Sequence, residues 1–224
     1  MILFDRPLRL GTRGSPLALA QACMTARALC DTHGWPDSAV AIVTVQTSGD
    51  RIQDRALAEI GGKALWTKEL DRALAEGDID FAVHSMKDVE TLRPAEMRIA
   101  AMLPRADVRD KLVGADSFDA LPDNPVVGTS SPRRAAQVAR LRPDATITLF
   151  RGNVATRLAK LAAGEVHATL LAAAGLDRLG QGDVGITIPV DMMLPAPSQG
   201  AVGIETLGDN EAVLAALAAI SDAD

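Results

Sequence analysis

The chain alternates short apolar runs with amphipathic stretches, a strand–helix rhythm kept through most of its length. Leu8 to Thr12 is the first strand-like run. Arg13-Gly14 then turns into Ser15-Pro16, where Ser15 is placed to cap a helix and Pro16 suits its first position. That helix runs to about Thr32, with Gly34 and Pro36 to stop it. The β-branched run Val40 to Thr47 is a strand closed by a Ser48-Gly49-Asp50 turn. Gly61-Gly62-Lys63 precedes a second helix, Ala64 to Glu76, whose Trp66, Leu70 and Leu74 share one face. Ile79 to Val83 reads as a buried strand, and it leads directly into His84-Ser85-Met86-Lys87-Asp88. Arg98 to Leu103 is a further strand.

Pro104 to Asp107 reads as a crossing into a second unit of the same kind. Its strands fall near Val126-Val127, Thr146 to Phe150 and Val166 to Leu171. Its helices fall near Arg133 to Leu141, Val154 to Ala163 and Ala173 to Leu179. Leu194 to Gly200 is a second crossing, followed by a strand, Ala201 to Glu205, and a last helix, Asn210 to Ile220. Strands alternating with helices predict an α/β fold with mostly parallel sheets. Two crossings predict a second domain, 104–196, inserted into a first domain made of 1–103 and 197–224. Ligands in such folds bind in a cleft at strand carboxyl ends and helix starts.

Composition narrows the function. Aromatics are 3% of the 224 residues and Tyr is absent, which is poor material for stacking nucleic-acid bases. The net charge of −6 argues against a general nucleic-acid or anionic-membrane surface. No run approaches the ~18 apolar residues of a membrane span, and the N-terminus lacks the pattern of a secretory signal. Cys23 and Cys30 lie on one predicted helix at a separation of roughly 10 Å, too far for a disulfide. Both are expected to be small buried residues of a reducing compartment. His33, His84 and His167 show no metal-ligand spacing.

One stretch departs from the overall balance. Residues 129–160 carry Arg133, Arg134, Arg140, Arg142, Arg151, Arg157 and Lys160 against a single acid, Asp144. Solvated helix faces are usually mixed in sign, so this cluster points to an anionic ligand. Thr129-Ser130-Ser131-Pro132-Arg133-Arg134 joins a strand to a helix, as do Arg151-Gly152-Asn153 and Arg13-Gly14-Ser15-Pro16. A helix start offers unpaired N–H groups and a positive dipole end, and an arginine fork beside it binds a carboxylate. No nucleotide-phosphate loop spacing accompanies these junctions. Lys87-Asp88, at its own strand end, adds an acid held beside a cation. These residues describe either a carboxylate-handling enzyme or a two-domain anion-binding protein without catalysis.

The motifs resemble a family. Thr12 to Ala18, Gly61 to Leu65, Ala82 to Asp88, Val127 to Arg134, Arg151 to Leu158, Ala173 to Gly180 and Gln199 to Glu205 are similar, in order, to porphobilinogen deaminase (hydroxymethylbilane synthase). The resemblance implies two domains of periplasmic-binding-protein-like topology with a hinged cleft. It implies a cytoplasmic, monomeric transferase of heme and porphyrin biosynthesis, acting on porphobilinogen without nucleic acid, membrane or metal. Four porphobilinogen molecules would be joined head to tail on a dipyrromethane cofactor. By the match Asp88 is catalytic, and Ser85, Lys87, Thr129, Ser131, Arg133, Arg134, Gly152, Asn153 and Arg157 hold the cofactor. Arg13, Ser15, Gln21, Arg151, Arg157 and Arg178 hold incoming substrate, while Lys63 and Trp66 belong to a loop over the site. Glu59 stands where the family often has lysine. The family hangs its cofactor from a cysteine in a third, C-terminal domain, and neither Cys23 nor Cys30 matches that position. The expectation is that the third domain is missing here and that the 224-residue chain alone carries no covalent cofactor and does not turn over.

Overall fold

The computed structural model describes residues 4–46 and 66–222. These fall into two compact units, one formed by 4–46, 66–106 and 201–222, the other by 107–200.

In the first unit, β1 (Leu8–Arg13) leads into α1 (Pro16–His33). Ser15 caps α1 by accepting a hydrogen bond from the Ala18 amide at 3.3 Å, with Pro16 in the first turn. Gly34 ends the helix in the left-handed region, φ 65°, where a side chain would be strained. β2 (Val40–Val45) follows. α2 (Lys68–Ala75) begins later than the apolar spacing predicts. Trp66 and Thr67 form a turn ahead of it, and Thr67 makes no side-chain cap bond. Next come β3 (Phe81–Ser85) and β4 (Met97–Met102).

The second unit opens with β5 (Asp110–Val113), a strand that the sequence reading passes over because half of its four positions are charged. It continues with β6 (Val126–Gly128), α3 (Pro132–Leu141), β7 (Thr146–Thr148) and α4 (Val154–Ala162). β8 (Ala168–Ala172), α5 (Ala173–Arg178) and the two-residue β9 (Ile186–Thr187) complete it. The chain then returns to the first unit as β10 (Val202–Leu207) and α6 (Glu211–Ala218).

The first sheet has the order β2-β1-β3-β10-β4 and the second the order β7-β6-β8-β5-β9. In each, three parallel strands carry helical connections, while one strand runs antiparallel: β10 against β3 and β4, β5 against β8 and β9. Both antiparallel strands are the first to form after the chain changes unit, so neither needs the crossover that a parallel neighbour requires. Each sheet is covered on both faces. Leu10, Phe81, Val83 and Ile204 pack with Leu29 of α1 and Leu217 of α6, and Ala82 packs with Leu70 and Leu74 of α2 on the opposite face. In the second unit Val127, Leu112 and Leu170 face Val138 of α3, while Val113 and Leu171 face Leu158 of α4 and Leu176 of α5. Double-sided burial explains why β3 and β8 read as continuous apolar runs rather than alternating ones.

The cysteines part company. Cys30 is buried, its thiol 3.5 Å from the Pro36 carbonyl where the chain doubles back past Gly34. Cys23 is exposed, contrary to expectation, because it lies on a part of α1 that the described residues leave in solvent. No helix among the described residues is long and apolar enough to cross a membrane.

Gly128, the last residue of β6, lies against the ring of Phe150, which is 2% exposed. A Cβ there would sit 2.6 Å from the ring. Gly128→Ala is therefore expected to destabilise the second unit by about 1–3 kcal/mol through overpacking. Chemical denaturation monitored by circular dichroism measures it.

Candidate active site

The functional side chains singled out in the sequence collect at the carboxyl ends of the parallel strands of each unit. In the first unit, β1 ends at Arg13, and its guanidinium carbon lies 3.9 Å from the centre of the Trp66 ring. Thr12, fully buried, donates to the Ala18 carbonyl at 3.2 Å and so holds the start of α1 against the strand end. Gln21, 2% exposed, reaches from α1 to Ser85 at the end of β3. Its Nε2 lies 2.9 Å and its Oε1 3.1 Å from the Ser85 hydroxyl. Two residues assigned to different ligands by the resemblance are thus one hydrogen-bonded pair tying α1 to the end of β3. Lys63 and Glu59 lie outside the described residues.

Lys87 and Asp88 sit half-buried on a single 3-10 turn, Met86–Asp88, that follows Ser85. The turn is pinned by its flanks. The Met86 amide donates to the Ala201 carbonyl at 3.1 Å, and the Val89 amide closes on the Met86 carbonyl at 3.2 Å. Val89 is 4% exposed and anchors the far side. The Met86 thioether lies across Gly203 of β10, where a Cβ would come within 2.2 Å of the sulfur.

Beneath this turn is a polar network that the sequence reading missed. Glu205, on β10, is fully buried. Its Oε2 lies 3.0 Å from His84 Nε2, and its two oxygens accept from Arg93 Nε at 2.7 Å and Nη2 at 2.8 Å. Arg93 also bonds Asp71 of α2 and approaches Glu90 at 3.4 Å. Burial would push the Glu205 carboxyl up, but contact with His84 and Arg93 outweighs it and holds the group at about 2. Asp71 moves the other way, because its burial outweighs its share of Arg93.

In the second unit the helix starts form as their sequences predict. Ser131 caps α3, accepting from the Arg134 amide at 3.4 Å, and its own amide donates to the buried Thr129 hydroxyl at 3.1 Å. Asn153 caps α4, accepting from the Thr156 amide at 2.9 Å. Gly152 precedes it with φ 119°, and its carbonyl accepts from Arg157 Nε at 2.9 Å. Arg151 is buried at 7% exposure.

The basic cluster is less uniform than its charge count suggests. Asp110, on β5 and 1% exposed, accepts from Arg133 Nη2 at 2.8 Å and Arg134 Nη2 at 2.6 Å. Gln199 Nε2 adds a third donor at 2.9 Å. Burial would raise the Asp110 carboxyl, but the two guanidinium groups hold it below its ordinary range. Arg134 also donates to the Leu170 carbonyl at 2.8 Å, so it is committed to its own fold. Arg133 reaches the Leu194 carbonyl as well, but keeps more of its side chain in solvent, 22% against 8%. Arg142 is occupied by Asp144 and by three carbonyls of the 118–122 segment, and Arg140 by the Met192 carbonyl. The Lys160 ammonium lies 5.7 Å from the centre of the Phe150 ring.

Arg178 is different. It donates to the Gly200 carbonyl at 2.6 Å, yet makes no ion pair among the described residues, and its buried Nε has no acceptor. Burial lowers its affinity for its proton, and the nearby Asp177 carboxylate offsets this only in part. A ligand carboxylate would supply the missing acceptor. Capped helix starts, hydroxyls and an arginine with an unmet donor form a donor set that fits an oligopyrrole bearing carboxylate side chains. Among the described residues no cluster of His, Cys, Asp or Glu could hold a metal ion.

A family model described as "Porphobilinogen deaminase, dipyromethane cofactor binding domain" matches residues 8–215. A protein named porphobilinogen deaminase from Sphingopyxis alaskensis is 62% identical over 224 residues, covering 98% of this chain and 71% of its own length. One of the same name from Paracoccus denitrificans is 51% identical over 223 residues, with the same coverage. Among solved structures, the second substrate-binding domain of a putative amino acid ABC transporter from Streptococcus pneumoniae aligns with a TM-score of 0.56 at 12% identity, covering 95% of this chain and 90% of that one. The VFT2 domain of BvgS from Bordetella pertussis aligns at 0.51 and 15% identity, covering 96% and 85%. The shared feature is the two-domain, periplasmic-binding-protein-like α/β fold.

Two measurements probe the buried acids. Asp110→Asn leaves Arg134 buried without its counter-charge, and unfolding in urea is expected to show a loss of about 3–5 kcal/mol. Glu205 has its carboxyl depressed, so the stability it confers is complete above its unfolded value near 4.5 and is lost as pH falls towards about 2. Thermal unfolding across that window is expected to fall less steeply in Glu205→Gln than in the unsubstituted protein.

Proposed function

The chain belongs to the porphobilinogen deaminase family, and on that premise we propose how its residues carry out the family's reaction. The enzyme is a transferase of tetrapyrrole biosynthesis. It joins four porphobilinogen molecules head to tail, each losing ammonia, and water releases the linear tetrapyrrole hydroxymethylbilane. The family's dipyrromethane cofactor supplies the pyrrole end from which the chain grows.

Asp88 takes the central role in this reading. Its carboxylate accepts a hydrogen bond from the pyrrole N–H of the substrate and stabilises the cation left as ammonia departs. The turn that carries it supports this, since Met86 and Val89 fix the backbone on both sides. Lys87, beside it, offers a cation to the carboxylates of the cofactor. Ser131 and Asn153 organise the starts of α3 and α4, where Arg133 and Arg157 meet cofactor acetates and propionates. Thr129, Ser85 and Gly152 serve as neutral contacts there. Arg134 reaches the cofactor less directly, since Asp110 and the Leu170 carbonyl engage it. Arg13, Ser15, Gln21, Arg151 and Arg178 receive the substrate's acetate and propionate, and Trp66 stacks on Arg13.

The observation that carries this assignment is half-buried Arg178, which donates to a carbonyl, makes no ion pair among the described residues and has a buried Nε with no acceptor. A substrate with two carboxylates per pyrrole accounts for it. We further take the protein to be a cytoplasmic monomer acting on a small molecule rather than on nucleic acid. The net charge of −6 and the 3% of aromatics support that.

Ammonia and tetrapyrrole released from porphobilinogen by the full gene product test the reading. Binding of the substrate with release of neither would favour an anion-binding protein instead. Asp88→Asn is expected to lower kcat by about 10²–10⁴-fold, the usual worth of a group acting on charge and proton in a transition state. Its thermal unfolding is expected to stay close to that of the unsubstituted protein.

A further inference from the structure

One buried carboxylate touches both flanks of the turn that carries Asp88, bonded to Arg93 on one side and against His84 on the other. His84, which Glu205 approaches at 3.0 Å, immediately precedes Ser85 at the top of β3. Arg93, which Glu205 binds through both oxygens at 2.7 and 2.8 Å, lies just beyond the turn. The chain between them leaves the sheet after Ser85, forms the turn and comes back towards the start of β4 at Met97. In the sheet, Ser85 pairs with Val202 at one end of β10 and Met97 pairs with Leu207 at the other, so this return runs the length of β10. No helix stiffens it. Arg93 fastens it midway, onto Glu205 of that strand and Asp71 of α2.

Glu205 cannot touch a ligand, because it is fully buried. His84 and Ala82 face α2, while Val83 faces α1, and Gln21 of α1 reaches the next residue on that face, Ser85. The network therefore supports the turn from the side away from the Gln21–Ser85 pair. We propose that Glu205, acting through His84 and Arg93, is a positioning residue that sets where the Asp88 carboxylate stands. The inference rests on the reading of Asp88 as the group that acts on substrate.

Glu205→Gln keeps the shape and removes the charge that holds the Arg93 fork. In the full enzyme it is expected to lower kcat by about 10- to 100-fold, the scale of a displacement near 1 Å, with KM changed by less than about threefold. In an Asp88→Asn background the same substitution is expected to cost less than about twofold more, since a residue acting through Asp88 has nothing left to position. Hydrogen exchange supplies a readout independent of turnover. The amides of 86–93 are expected to exchange about tenfold faster in Glu205→Gln, while those of β1 and α1 keep their rates. If that variant fails to fold, Arg93→Lys, which keeps the charge but loses the fork, is expected to shift kcat and exchange in the same direction. An unchanged kcat in a folded variant overturns the proposal, and so does an undiminished loss in the Asp88→Asn background. If the unsubstituted enzyme releases no tetrapyrrole while exchange at 86–93 still responds to Glu205→Gln, the functional reading fails and the mechanical link stands.

Discussion

A carboxylate taken out of water must be met by cations taken out of water with it, and each sheet here is built around one such match. In the first unit the acid is Glu205, held by the Arg93 fork; in the second it is Asp110, held by Arg133 and Arg134 with Gln199 as a neutral donor. Both acids lie on the one strand of their sheet that runs antiparallel to its neighbours. Breaking either pair strands a buried charge, a heavier cost than the pair's own net contribution to stability. The matches are therefore better understood as constraints on geometry than as sources of stability. Each fixes a segment that ends at the carboxyl side of the parallel strands, where the chemistry is.

The two matches divide the basic residues by task. Arg134, Arg140 and Arg142 are engaged by an acid or by carbonyls of their own unit, and they hold the walls. Arg133 is shared, bonded to Asp110 yet partly in solvent. Arg178 is half-buried, with no ion pair among the described residues and a buried Nε that has no acceptor. The guanidinium groups thus form a graded set, some already oriented by the protein and Arg178 with a donor still unmet. Orientation before binding saves the ligand the cost of ordering flexible side chains.

Much of this was legible in the sequence. Ser15, Ser131 and Asn153 cap the helices they were expected to cap, because capping is decided within four residues. The apolar runs marked β3 and β8 for the same local reason. What stayed hidden depends on partners far along the chain. Arg93 and Glu205 are 112 positions apart, and Asp110 and Arg134 are 24 apart, so counting charges in a window does not show that Arg134 also bonds a buried acid. β5 was invisible because Asp110 and Lys111 interrupt its apolar pattern, and both are buried by partners the local sequence does not contain. The exposure of Cys23 had a similar cause. Periodicity placed both thiols on α1 but could not say which stretch of chain would return to cover one of them.

The contact between Met86 and Gly203 gives β10 a say in how the site can change. Gly203 sits in the middle of a sheet, where a larger residue would ordinarily be favoured, and the thioether of Met86 occupies the space that residue would need. A methyl group added there could be accommodated only by moving Met86, which begins the turn bearing Lys87 and Asp88. The two positions are therefore not free to vary one at a time. Diversifying the turn alone would leave a hollow over the glycine, and diversifying the strand alone would displace the Met86 side chain. A redesign of this site has to treat residues 86 and 203 as one unit.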